Sequence, residues 1–372
     1  LRRIPLKAVG QDAVLLAVQI GDRPFEEVVV EESALVQHAV PFGVREHLLW
    51  QLDRGRESMG LLADDKFEIT YDAEADGTVE LTVKGTFVQY DNKFKKLTVT
   101  SSTGEDGPDE GDVAYGLEIP GFAFFLKPMG GDGEPIVMVK AGACPSENFD
   151  ANWVIAKYQD GEETPKADQD AMGSAVFAVE DDVATIVQRR FDNGNVIDPD
   201  GNDITLTSCS NGAQGFDDGG GGGTMYLTAN GGALVNPGSG IIFAAPQLSA
   251  DVTKAQLEGV YSGLVFRGTG ADGDKIFPAK VTLDNDAVGT GVKINNVETD
   301  ETEMTGAAMD LEPVASAKGL VHGTVDTGEG TNPINCVFSS VAGNELLACN
   351  GADDAADVGG VYPSFFFLGV KR

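Results

Sequence analysis

Four cysteines and three histidines in 372 residues leave little from which to build a metal centre or a general base. None of Cys144, Cys209, Cys336 and Cys349 belongs to a C-x-x-C pair, which excludes zinc-ribbon and thioredoxin-type sites. Positive charge is scarce as well: 26 Lys and Arg stand against 59 Asp and Glu, for a formal charge of −33. A surface this negative repels phosphate backbones and anionic bilayers, so nucleic acid and membrane surfaces are excluded as partners. No apolar run approaches the ~18 residues of a membrane-spanning helix. Neither G-x-S-x-G nor H-E-x-x-H occurs, so the commonest signatures of nucleophilic and zinc hydrolysis are missing. With 59 acids, carboxylate pairs can be drawn anywhere and single out nothing. A hydrolase is therefore the third-ranked reading.

What is present points to strands. Apolar residues make up 42% of the chain, enough for packed cores and too much for a disordered polymer. Glycine, at 48 residues, is nearly twice as frequent as the roughly 7% usual in proteins. That excess favours turns over helices. Lys66–Tyr71 and Thr78–Val83 alternate apolar and polar residues across an Asp76-Gly77 turn, and Lys96–Thr100 follows in the same style. Gly121-Phe122-Ala123-Phe124-Phe125-Leu126 is too continuously apolar for either face to meet water.

A break in composition falls near Ser58. Residues 1–58 carry seven basic and nine acidic residues, whereas the other 314 carry 19 and 50. Short apolar stretches in this first segment, such as Ala13–Val18 and Val28–Val30, precede Val44, Leu48, Leu49 and Leu52 at helical spacing. The expectation is a small α+β module over 1–58, with three β units after it at 59–142, 143–250 and 251–372. Thr224–Gly232 resembles Asn344–Ala352, and each is followed by an apolar strand, Ile241–Ala244 or Phe365–Leu368. Cys209 and Cys336 sit on the strand before each copy. Pro135–Val139 is read as closing the first unit in the same way.

The last unit is the most legible. Its strands are expected at 259–266, 275–283, 289–294, 304–311 and 320–325, then the cysteine hairpin and 365–368. About eight sequential strands in ~115 residues fit an up-and-down barrel, with a β-sandwich as the other candidate. The opening Gly259-Val260-Tyr261, and Asn152-Trp153 near the start of the middle unit, are similar to the way lipocalin- and avidin-like barrels begin. That resemblance implies an aromatic plug at the base of each barrel. The fold class is thus all-β, in tandem antiparallel barrel or sandwich units.

Cys336 and Cys349 lie on strands joined by a Gly343-Asn344 turn. This makes them hairpin partners, with Cys144–Cys209 as the second expected pair, four buried thiols as the alternative reading, and the connectivity left open by the sequence. Closing these loops contributes roughly 3 and 4 kcal/mol respectively. An even cysteine count in paired positions implies an oxidising compartment. The chain opens Leu1-Arg2-Arg3 with neither methionine nor leader, so a removed signal peptide is expected. The implied location is extracellular, cell-surface or periplasmic.

Other motifs weigh less. Asp198, Asp200 and Asn202 place oxygens at alternate positions with Asp203 beside them, the first candidate for calcium, although no bidentate Glu follows. The acidic loop of Glu105, Asp106, Asp109, Glu110 and Asp112 could gather oxygens too, with a solvated turn as the plainer reading. Gly268-Thr269-Gly270-Ala271-Asp272-Gly273 matches G-x-G-x-x-G but precedes a strand, which denies it a helix N-terminus for phosphate. Gly219–Gly223 reads as a tether. His47, beside Glu46, and His322 have no triad partners in view. Phe122, Phe124, Phe125 and Phe365–Phe367 are core candidates that could also line a cavity.

Taken together, these features point to a non-catalytic secreted or surface protein with a structural, assembly or adhesive role. Self-association or another surface protein is the expected partner, and no cofactor is called for beyond that calcium candidate. A binding module holding a small apolar molecule or carbohydrate inside a barrel is the second reading.

Overall fold

The computed structural model describes residues 16–19, 44–52, 55–72, 78–104, 107–128, 136–139, 144, 151–159, 173–191, 196–197, 204–210, 213–217, 222–228, 231–235, 240–267, 276–315, 317–326, 328, 330–352 and 364–372. The strands in these segments form three antiparallel sheets.

In the second sheet, Ala151–Gln159, Gly173–Glu180, Val183–Phe191, Ile204–Ser210, Ala213–Asp217, Gly222–Leu227, Ala233–Val235 and Gly240–Pro246 each pair with the next. The last returns to the first, with Ile155 opposite Ala244 and Lys157 opposite Ile242. This is a closed eight-stranded barrel.

The third sheet repeats the order with Gly259–Arg267, Ile276–Leu283, Val288–Asn296, Ala307–Pro313, Leu320–Asp326, Thr331–Val341, Asn344–Ala352 and Ser364–Lys371. Val265 pairs with Phe367 to close it. Even the minor strands correspond: Val196–Ile197 and Glu301–Thr302 each add to the third strand of their barrel. Barrel closure removes the edge that a sandwich would leave exposed, and the sandwich alternative is set aside.

The first sheet has nine strands and stays open among the described residues, running from Leu16–Gln19 through Ile136–Val139 to Val44–Leu52. Two expectations are corrected here. Val44–Leu52 is a strand, hairpinned with Gly55–Leu62, and not a helix. Leu48, Trp50 and Leu52 alternate as a strand requires, while Val44, Leu48, Leu49 and Leu52 have helical spacing, and cross-strand pairing decides between the periods. The sheet accordingly continues through Ser58, because Gly55–Leu62 pairs onward with Lys66–Asp72. Ile136–Val139, for its part, does not close a ring of later strands but pairs with Ala123–Pro128 and Leu16–Gln19.

The sequence likeness between 224–232 and 344–352 is also one strand out of register. The former lies on the sixth main strand of its barrel and the turn after it, the latter on the seventh of the other. The terminal strands 240–246 and 364–371 do correspond.

Strand alternation then builds four cores. Inside the third barrel lie Tyr261, Val281, Met309, Phe338, Leu347 and Phe367. Gly263 and Gly369 make room there, since a Cβ at either would stand 2.4 Å from the Phe367 ring. Helix Lys254–Leu257, capped by Thr253 and Gln256, closes one end of this barrel, and the Tyr261 hydroxyl donates to the Leu257 carbonyl at 3.0 Å. Tyr261 is the expected aromatic plug, and burial pushes its hydroxyl pKa upward. Trp153, Phe177 and Leu206 fill the second barrel, and Phe67, Phe87, Leu97 and Phe124 line the inner face of the first sheet.

The fourth core is made of side chains pointing out of all three sheets. Phe122 and Phe125 from the first meet Val154 and Phe243 from the second and Leu264, Phe266 and Phe366 from the third. Phe122 stands edge-on to Phe243 at 5.6 Å, and Phe125 to Phe266 at 6.4 Å. The run of consecutive apolar residues at 122–126 and 365–368 is thereby explained. One face of each strand fills its own sheet, and the other fills the junction.

Candidate functional site

Polar groups gather at the seams between the sheets. The first sheet's hairpin turn, around Tyr90–Phe94, meets a loop of the third barrel, 296–300, by way of two carboxylates. Asp300 accepts from both terminal nitrogens of Arg372 at 2.8 and 2.7 Å, from Lys280 at 2.9 Å, and from Asn92 of the first sheet at 3.4 Å. The same Asn92 amide, itself buried, donates to the Val297 carbonyl at 2.8 Å. Hydrogen bonds from the Arg372 guanidinium, then from Lys280, hold the Asp300 carboxyl far below the usual carboxylate range. Beside it, Glu298 accepts from Lys96 and, at 3.1 Å, from the Tyr115 hydroxyl. The Lys96 hydrogen bond lowers the Glu298 pKa.

A depressed folded-state pKa contributes stability above the unfolded value, about 3.9 for Asp, and that stability is lost as pH falls toward the folded value. Asp300→Asn is therefore expected to melt lower than wild type at pH 6, with the difference shrinking steadily below pH 4. Calorimetric melting temperatures at each pH check this. A constant difference would mean that the carboxylate charge is not what Arg372 and Lys280 hold.

A second seam joins the barrels. Asn350, on the outer side of the third barrel, donates across to the carbonyls of Lys157 at 2.9 Å and Gly173 at 2.7 Å in the second. The Ser339 hydroxyl donates to the Pro246 carbonyl at 2.8 Å, and Asn344 ties the hairpin turn to the Pro120 carbonyl of the first sheet at 2.9 Å. These polar ties were not legible as a set. Their members are scattered over some 280 positions and belong to no motif.

Both disulfides form as paired above, Cys144 with Cys209 and Cys336 with Cys349. Cys336 and Cys349 are directly opposite on the hairpin and point into the third barrel. The turn between their strands is Ala342-Gly343, both with positive φ, as a two-residue hairpin loop requires.

The calcium candidates Asp198, Asp200, Asn202 and Asp203 lie outside the described residues, as do Glu105, Asp106 and the Gly268–Gly273 loop. Asp109 and Asp112 do form a turn: the Asp109 backbone N–H donates to the Asp112 carboxylate at 2.9 Å. Of the glycine tether, Gly222 and Gly223 are strand, paired with Asp217 and Phe216. His47 lies on a strand, not on a helix, and His322 on the fifth strand of the third barrel. Among the described residues, no three His, Cys, Asp or Glu side chains come together in a metal-binding group. The buried charge Lys95 is consumed structurally. It pairs with Glu118 at 2.8 Å and lies 4.6 Å from the centroid of Phe87.

These features define an all-β protein of two closed antiparallel barrels and an open sheet, joined face to face. No protein-family model matches the chain, and no curated protein matches it. Among solved structures it aligns with transferrin binding protein B from Haemophilus parasuis Hp5 at 9% identity and a TM-score of 0.25, over 86% of this chain and 66% of that one. The isotype 1 transferrin binding protein B from serogroup B Neisseria meningitidis aligns at 10% and 0.26, over the same shares. The chain thus spans just under two thirds of their length. A beta clamp from Helicobacter pylori aligns at 6% and 0.15, over 88% of this chain and 91% of that one. Overlap this low carries no argument, and the fold stands on its own strand pairing.

Proposed function

We propose that the chain is a non-catalytic protein of the cell surface or extracellular space, serving as a structural, assembly or adhesion subunit. The observation that carries this reading is the shared junction. Side chains that could have shaped a cleft instead lock three sheets into one body. A rigid body of fused barrels offers partners a fixed set of loops and outer faces, which is the economical way to present a recognition surface. Two formed disulfides fit an oxidising compartment. The strongly negative surface favours a protein partner that presents basic groups, or docking of a second copy through the nearly neutral first 58 residues.

The test is crosslinking on intact cells with a membrane-impermeant reagent, followed by recovery of the chain. Adducts with itself or with another surface protein are expected, together with no alkylatable thiol before reduction. Recovery only from the reducing interior, with four free thiols, would remove the proposal.

A further inference from the structure

The ion pair of Lys95 stands in a setting that supports more than charge pairing. Lys95 is 6% exposed and belongs to the strand Phe94–Thr103, where it shares the inner face of the first sheet with Leu97. Directly opposed residues share a face. Gln89 is opposite Lys95 on one neighbouring strand, and Gly116 is opposite it on the other. The Phe124 ring lies over Gly116, where a Cβ would stand 2.2 Å from it, and the Phe87 centroid is 4.6 Å from the ammonium. Aromatic rings therefore lie to both sides of the lysine's strand.

Three functional groups meet in this apolar setting. The Lys95 ammonium pairs with the Glu118 carboxylate at 2.8 Å and donates to the side-chain carbonyl oxygen of Gln89. The Gln89 carboxamide is held in place, because its nitrogen donates to the carbonyls of Tyr90 at 3.0 Å and Phe94 at 3.2 Å. An amine fixed against a carboxamide, with a carboxylate beside it to carry protons, is the arrangement that amide exchange requires. Gln89 is itself exposed, which gives the leaving amine a path to water.

We infer that Lys95 and Gln89 become joined by an isopeptide bond, with Glu118 as the proton carrier. Nζ gives up two of its three protons by way of the Glu118 carboxylate and bonds to Cδ of Gln89. The Cδ–Nε2 bond breaks, its electron pair goes to Nε2, and Nε2 takes those two protons and leaves as ammonium. Nothing is oxidised or reduced. The bond gives the first sheet a covalent tie of the kind the barrels already have. Cys144–Cys209 holds the second barrel and Cys336–Cys349 the third, whereas no cysteine precedes Cys144. The tie is internal to the first sheet, so it stands or falls apart from the surface role proposed above.

Intact-mass spectrometry of the reduced full chain tests the assignment. The wild type is expected to be lighter than its sequence by one ammonia, about 17 Da. In a tryptic digest, 85–93 should stay joined to 94–96, because trypsin cuts after Lys84, Lys93 and Lys96 but not after an acylated Lys95. The joined peptides separate this bond from a cyclic imide at an Asn-Gly step, which loses the same mass. Lys95→Met and Glu118→Gln should both keep the full sequence mass. A wild type at full mass overturns the inference, and that measurement needs no variant to fold. Ammonia loss that persists in Lys95→Met, or joined peptides at wild-type yield in Glu118→Gln, overturns it too.

Discussion

Phe266→Ala is expected to destabilise the whole chain by about 3–5 kcal/mol, the range for removing a buried phenylalanine, and not the third barrel alone. Phe266 is 2% exposed and points out of its own barrel. It stands edge-on to Phe125 of the first sheet and 6.1 Å from Phe366 of its own. A cavity there opens between the first sheet and the third barrel, within the one core that all three sheets share, so the loss is passed to the second barrel through that core. The loss is a large fraction of the 5–15 kcal/mol by which domains are ordinarily stable.

The two tryptophans provide the readout. A Trp50→Phe background leaves only Trp153, which sits in the second barrel. Phe266→Ala should lower the denaturation midpoint reported by Trp153 fluorescence as much as that reported by far-ultraviolet circular dichroism. Coincident transitions indicate one cooperative body. An unchanged Trp153 midpoint, with the dichroism signal shifted, would show barrels that merely touch.

How much of this was readable beforehand follows from the range of each interaction. Alternation and turn chemistry act over a few residues, so the eight strands of the last unit stand close to where their patterns place them. The Cys336–Cys349 pair could be read from its hairpin. Tyr261 as a plug was legible because its position at the head of the first strand is a local fact. Val44–Leu52 misled because a nine-residue window with five apolar positions satisfies two periods, and only the partner strand Gly55–Leu62 chooses between them. The likeness of 224–232 to 344–352 misled for a related reason. Alternating strands ending in Asn-Gly resemble one another wherever they fall in a barrel, so local similarity does not fix strand order. Nothing local marks Asp300, Asn92 or Arg372 as partners. Their meeting depends on how the first sheet sits against the third barrel, which is a property of the junction.

Asn350→Asp is the substitution expected to cost most for its size, about 4 kcal/mol or more at neutral pH. Asn350 is fully buried, and its amide answers two carbonyls of the second barrel, those of Lys157 and Gly173. An aspartate of the same shape has no N–H to give. It sets a negative charge against two carbonyl oxygens in a fully buried site, so two hydrogen bonds become repulsions and a charge is desolvated. Such a carboxyl has its folded-state pKa raised above the unfolded value of about 3.9. The sign of the pH dependence follows from that shift. Below the unfolded pKa the group is protonated in both states and the charge penalty is absent. The penalty grows as pH rises toward the folded pKa and is constant beyond it. Denaturation of variant and wild type in parallel from pH 3 to pH 7 should show the gap widening with pH. Subtracting the wild type at each pH removes the contribution of the other carboxylates. Asn350→Leu separates the two parts of the effect, because it leaves the carbonyls unanswered without adding charge, and its smaller deficit should not vary with pH. If Asn350→Asp proved as stable as Asn350→Leu at pH 7, water would have to reach the seam, and the barrels would not be sealed against each other as Val154, Phe243 and Leu368 place them.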